Sequence, residues 1–144
     1  MAKQIWVNLP VRDLKRSVAF FSKLGYAFDP RFTDENATCM IVGDDIFVML
    51  LVEKFFQTFT HKPVSDATKS TEVLLALSCE SREAVDDMVR KAVAGGATTP
   101  MQPQDHGFMY QHGYQDLDGH MWELMHMDPV AAEKAFAKDQ TPAT

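Results

Sequence analysis

Cysteine is scarce in this chain: two in 144 residues, Cys39 and Cys79, with no motif spacing between them. A chain of this length buries roughly 68–70% of its unfolded surface, so it needs neither a disulfide nor a structural metal to fold. Both thiols are read as reduced and buried in a cytoplasmic protein, with a disulfide between them as the alternative. No run approaches the roughly 18 apolar residues of a membrane-spanning helix. The opening Met1-Ala2-Lys3-Gln4-Ile5-Trp6 has no apolar signal core. Basic runs are missing too: the net charge is -6, with both signs interspersed, so neither nucleic acid nor an anionic membrane is an expected partner. There is no Gly-x-Ser-x-Gly, neither cysteine has an activating arrangement nearby, and Gly95-Gly96 ends a helix instead of opening one. Nucleophilic catalysis and a phosphate loop are thereby disfavoured.

What is present is a pattern stated twice. Ile5-Trp6-Val7-Asn8-Leu9-Pro10-Val11 leads into Asp13-Leu14-Lys15-Arg16-Ser17-Val18-Ala19-Phe20-Phe21 and stops at Leu24-Gly25. About 68 residues on (Ile5 to Val73), Val73-Leu74-Leu75-Ala76-Leu77-Ser78 leads into Ser81-Arg82-Glu83-Ala84-Val85 and stops at Gly95-Gly96. Each is a strand, a helix cap, an amphipathic helix and a glycine stop. Such a duplication implies two half-sheets enclosing a shared cleft, whose strand positions are the place to look for function.

Alternation over residues 3–10 puts Ile5, Val7 and Leu9 on one face and Trp6, Asn8 and Pro10 on the other. Asp13 caps the first helix, Leu14, Val18, Phe20 and Phe21 form its apolar stripe, and Gly25 ends it. Strands are predicted over 26–32, 38–42 and 46–52, the last apolar throughout and so buried on both faces. A short helix and a loop occupy 53–71. Phe55, Phe56 and Phe59 there are read as packing against the core or a partner copy. The second half predicts a strand over 72–78 and a helix from Ser81 with Val85, Met88, Val89 and Ala92 on one stripe. A short strand over 97–99, a loop over 100–106 and strands over 108–115 and 120–126 follow. Asp128-Pro129 opens a last helix through 138, and the final few residues fray. The organisation is one α+β domain: a first βαβββ module (1–54), a connector (55–71), a second module (72–128), and a C-terminal helix and tail (129–144).

Two tandem β-α-β-β-β units resemble the vicinal oxygen chelate superfamily, which includes glyoxalase I, extradiol dioxygenases, and fosfomycin-resistance and bleomycin-binding proteins. The stretch Asn8-Leu9-Pro10-Val11-Arg12-Asp13-Leu14, with Ser17-Val18-Ala19-Phe20-Phe21 and Leu24-Gly25-Tyr26, resembles the family's first strand and helix. Gln115-Asp116-Leu117-Asp118-Gly119-His120-Met121-Trp122-Glu123-Leu124 resembles its closing turn and last strand, with Leu117 in place of the usual proline. The resemblance covers about residues 4–128 and is nearest to the branch described as lactoylglutathione-lyase-related. It implies curved mixed sheets around a cleft and a homodimer.

The resemblance also implies four metal-ligand positions, one on each of four strands. They fall on Trp6, within 47–51 with Met49 the first choice, on Leu74 and on Glu123. Indole, thioether and isobutyl groups cannot replace imidazole or carboxylate for a hard or borderline divalent ion, so no cofactor is expected and a divalent metal is disfavoured. Glu123 shares its face with Met121 and Met125. It is either a structural carboxylate or, in an apolar cleft, a general base or the partner of a cationic ligand. His120 and His126 fall on the opposite face with Trp122 and Leu124. Tyr110, His112 and Tyr114 share one face: they bind ligand if it lines the cleft and are core if it meets the helices. Asn8 either orients a ligand or satisfies a strand-end backbone group. His106 is read as a surface-loop histidine, and Cys79 as core by its parity with Leu75 and Leu77.

The leading expectation is metal-free binding of a small, partly apolar or aromatic molecule in a cleft lined by Trp6, Asn8, Met49, Leu74, Tyr110, His112 and Glu123. The alternative is a lyase, isomerase or dioxygenase of the glyoxalase group working through Glu123. A third possibility, a structural module, predicts a cleft filled by Trp6 and the methionines.

Overall fold

The computed structural model describes residues 1–139. The chain divides into two units, residues 1–72 with 117–119, and residues 73–116 with those from 120 onward.

The first unit contains β1 (Ile5–Val11), α1 (Leu14–Lys23), β2 (Ala27–Asp29), β3 (Ala37–Gly43), β4 (Ile46–Val52) and the short helix α2 (Glu53–Phe56). Its sheet runs β1-β4-β3-β2, with β1 parallel to β4 and the other pairs antiparallel. Asp13 caps α1 as expected, its carboxylate accepting from the Arg16 amide at 3.1 Å. One face of the sheet, Leu9, Val11, Met40, Val48 and Leu50, is buried with Phe20, Phe21 and Leu24. The other face carries Trp6, Asn8, Phe47 and Met49, each at least partly open.

Two expectations need correction here. β4 is buried on both faces only towards its end, at Leu50 and Leu51: Ile46 at its start is exposed, and Phe47 and Met49, on the face opposite Val48 and Leu50, are half-buried. β2 ends at Asp29 instead of running to 32. Pro30 lacks an N–H and holds its φ near the helical value, so the ladder stops and Pro30–Phe32 forms a 3-10 turn. Asp29 caps that turn, accepting from the Arg31 amide at 3.0 Å.

The second unit contains β5 (Leu74–Ser78), α3 (Arg82–Ala94), β6 (Gln104–Asp105), β7 (Met109–Gln115), β8 (Met121–Met127) and α4 (Pro129–Asp139). Its order, β5-β8-β7-β6 with β5 parallel to β8, repeats that of the first unit. The fold is thus α+β, with a mixed sheet in each βαβββ module. The second strand of the module is not where the sequence placed it. Thr98 makes only an isolated bridge with Gln115, and pairing resumes at β6 inside the expected loop. Pro100 and Pro103 remove donors between the two. Asp105 then anchors β6 by a bidentate contact with Arg82, at 2.6 and 3.0 Å. The core of this unit is Val85, Val89 and Ala92 of α3 with Tyr114, Trp122 and Leu124. The expected fraying of the last few residues lies outside the described residues.

The turn Leu117–Gly119 belongs to the first unit. Asp118, 7% exposed, accepts from the Arg12 amide at 2.9 Å, from Arg12 Nε and Arg16 Nη2 at 3.3 Å each, and from Ser17 Oγ at 3.2 Å. Gly119 has a φ of 93°, and a Cβ there would meet the Ala67 carbonyl at 2.6 Å, so the turn demands glycine twice over. Among the described residues no helix is long and apolar enough to cross a membrane.

Candidate functional site

Trp6 is the centre of the open face in the first unit. It is 39% exposed and stacks on Phe47, its cross-strand neighbour, at 4.3 Å between centroids. Phe32 meets it edge-on at 5.6 Å, brought there by the 3-10 turn that ended β2 early. The Arg31 guanidinium lies 5.5 Å from the Phe32 centroid and grips Asp29 at 2.7 Å, and that hydrogen-bonded pairing holds the Asp29 carboxyl below its ordinary range. Asn8 Nδ2 donates to the Trp6 carbonyl at 3.3 Å, which is the backbone-satisfying role. Met49 pairs with Asn8 on one side and Cys39 on the other. Cys39 is fully buried, and burial raises its thiol above the ordinary value. Phe32 is not among the residues the sequence points to, and Phe47 enters there only as the first residue of the 47–51 stretch. Phe47 was findable by its parity with Met49; Phe32 was not, since its position depends on the turn.

In the second unit the pairing register separates residues that the sequence had grouped. Gly113 pairs with Glu123 and His112 with Leu124, so Tyr110, His112 and Tyr114 lie on the Trp122 side and Glu123 on the other. Which side meets the helix is settled by contact: the Tyr110 hydroxyl donates to Asp86 of α3 at 2.6 Å, and Arg82 of α3 lies 5.3 Å from its ring centroid. That hydrogen bond pushes the Tyr110 phenol up. Tyr110 and His112 therefore pack toward α3 and do not share a face with Glu123. The buried Nδ1 of His112 has no hydrogen-bond partner among the described residues.

His126 is on the α3 side as expected, its Nδ1 3.0 Å from the Cys79 carbonyl. Cys79 is half-buried rather than core, just past the end of β5, and burial raises its thiol. His106 sits in an exposed loop. Phe59 is 70% exposed and meets Phe55 edge-on at 5.2 Å.

The open face of the second sheet carries Glu123 with Met121 and Met125 beside it and Leu74, 59% exposed, on β5. No hydrogen bond or ion pair ties Glu123 to any described residue. The four positions expected to hold a metal in this fold are Trp6, Met49, Leu74 and Glu123, and they do not fit one: a single carboxylate is their whole supply of oxygen or nitrogen donors. Among the described residues no three His, Cys, Asp or Glu side chains come together as a metal shell elsewhere.

Comparison with known proteins agrees with this architecture. No curated protein sequence matches the chain. Residues 3–43 match the family model described as bleomycin resistance protein-like N-terminal. A hypothetical protein from S. aureus is similar in structure, at 28% identity over 88% of this chain and 95% of that one, with a TM-score of 0.74. A glyoxalase-related enzyme from Fulvimarina pelagi has 20% identity, covering 87% of this chain and 88% of its own, with a TM-score of 0.73. The bleomycin resistance determinant encoded on the transposon Tn5 has 18% identity, covering 88% and 99%, with a TM-score of 0.62. The fold is that of the glyoxalase/bleomycin resistance/dioxygenase proteins, and the first module carries a bleomycin-resistance-like N-terminal sequence. None of these likenesses carries the lactoylglutathione-lyase branch expected from the sequence.

Proposed function

We propose that this protein binds a small, partly apolar or aromatic molecule on its open sheet faces, without a metal, in the manner of a sequestering or resistance protein. The observation that carries this is Trp6, an indole left 39% open while braced by Phe47 and Phe32. A folded chain gains from burying a tryptophan, and aromatic rings stack on planar ligands with a gain beyond their area. A braced ring also loses little freedom on binding. The likeness of the first module to bleomycin resistance proteins supports the same reading.

The test uses the difference between the two tryptophans: Trp6 is open, Trp122 fully buried. Titration with a panel of planar aromatic molecules should quench the solvent-exposed component of the emission and leave the buried one. Calorimetry should then show the same ligand bound by the native chain and weakened about tenfold or more in Trp6→Ala. If no member of the panel perturbs Trp6 emission, the reading fails.

A second reading, acid–base catalysis of the glyoxalase-related kind, is favoured by one fact: Glu123 has no partner among the described residues. It requires turnover that vanishes in Glu123→Gln.

A further inference from the structure

We infer that the open face of the second sheet takes an organic cation, with an ammonium or guanidinium group seated on Glu123 and its apolar body on the neighbouring methionines; this rests on the ligand-binding reading above. The pairing register carries the inference. Glu123 stands between Gly113 on β7 and Ala76 on β5, the two smallest side chains on that face. Along its own strand, Met121 and Met125 are the next residues on the same side. The carboxylate therefore has small neighbours across the sheet and long thioether side chains before and after it along its strand.

Gly113 shows how closely the carboxylate lies. A Cβ at that position would be 3.1 Å from Glu123 Oε2 and 2.6 Å from the Trp122 carbonyl, so the acid occupies the space the glycine leaves. Glycine inside a strand weakens it and marks a place where another group approaches the backbone. Here the approaching group is the Glu123 side chain.

Charge selects the occupant. Glu123 is the sole ionisable side chain on this face of β5, β6, β7 and β8; Asp105, Tyr110, His112 and His126 all lie on the α3 side. Half-buried and without a counter-ion among the described residues, the carboxylate is satisfied by a cation and repels an anion. A hard divalent ion is usually held by more than one charged oxygen ligand, and this face carries one. Thioethers are polarisable and adapt to an irregular apolar surface, which suits an organic body beside the charge.

The test is calorimetry on the full chain with two matched probes: 1-naphthylmethylamine, cationic at neutral pH, and 1-naphthalenemethanol, its neutral counterpart. The amine should bind at least about tenfold more tightly than the alcohol. Glu123→Gln should abolish that preference and leave the alcohol unchanged. Ala76→Met places a long side chain at the exposed position paired with Glu123 while leaving the carboxylate itself in place, and it should weaken the amine. Melting temperatures of both variants serve as the folding control. A preference for the amine that survives Glu123→Gln overturns the cation anchor. Equal binding of the two probes, indifferent to both substitutions, also overturns it while leaving the ligand-binding reading intact. If neither probe binds and Trp6 emission responds to no aromatic, both readings fall.

Discussion

His112 and Glu123 show how little distance along a strand separates the two faces of a sheet. They sit on adjacent antiparallel strands, one position out of register, and that single step sends their side chains to opposite faces. His112 pairs with Leu124, packs on the α3 side and keeps a buried ring nitrogen without a partner among the described residues. An unsatisfied buried polar atom is a standing loss, so replacing it with an apolar side chain of similar size should be neutral or better. His112→Leu should therefore leave the denaturation midpoint unchanged or raise stability by about 1 kcal/mol, with ligand affinity unaltered. Loss of affinity at constant stability would return His112 to the binding face. Trp6 and Trp122 make the same point with identical chemistry. Trp122 is fully buried with its indole N–H donated to Asp116 at 2.9 Å, whereas Trp6, on the face opposite Leu9 and Val11, stays 39% exposed.

At the level of elements, the segment 97–106 shows a local preference overruled by pairing. Ala97-Thr98-Thr99 reads as a strand, and Gln104-Asp105 reads as loop, yet β6 forms at the latter. The donor-free prolines break the ladder, and the Arg82 fork on Asp105 fixes the new edge from α3. That contact has a pH signature. Hydrogen bonding to Arg82, with help from the Gly107 amide, lowers the Asp105 carboxyl from 3.8 to about 2. A carboxyl depressed on folding stabilises the native state above its unfolded value, and the contribution is lost as pH falls through the folded one. Wild type should thus melt above Arg82→Gln at about pH 6, the gap closing from about pH 4 down to about 2. The gap itself should be small, since both side chains are about half exposed, at 43% and 53%. A gap that stays constant over the whole range would mean that Arg82 acts through packing on Tyr110 instead. The opposite case is α1, where the Asp13 cap, the apolar stripe and the glycine stop lie next to one another in sequence, and the helix is where they put it.

Across the whole molecule, the two sheets share one strand order, with the central pair β4–β3 in one and β8–β7 in the other. Central strands have both edges paired and hold the buried side chains Met40, Val48, Leu50, Tyr114, Trp122 and Leu124. Amide exchange should accordingly be slowest in these four strands and fast in β2 and β6, measured residue by residue by NMR. Slow exchange confined to α1 and α3 would contradict a sheet-centred core. The sequence by itself determined the duplication, the α+β class, the helix caps and stops, and which side chains of a strand share a face. All of these depend on neighbours along the chain: a period of two or of 3.6, a cap next to its helix, a glycine at its end. The tertiary structure alone decided which face of β7 meets α3, where the second strand of the second module forms, and that Phe32 returns to brace Trp6. It also set Glu123 between Gly113 and Ala76. Each of these depends on pairing between strands distant in sequence, and alternation fixes the membership of a face without saying which side of the sheet that face will take.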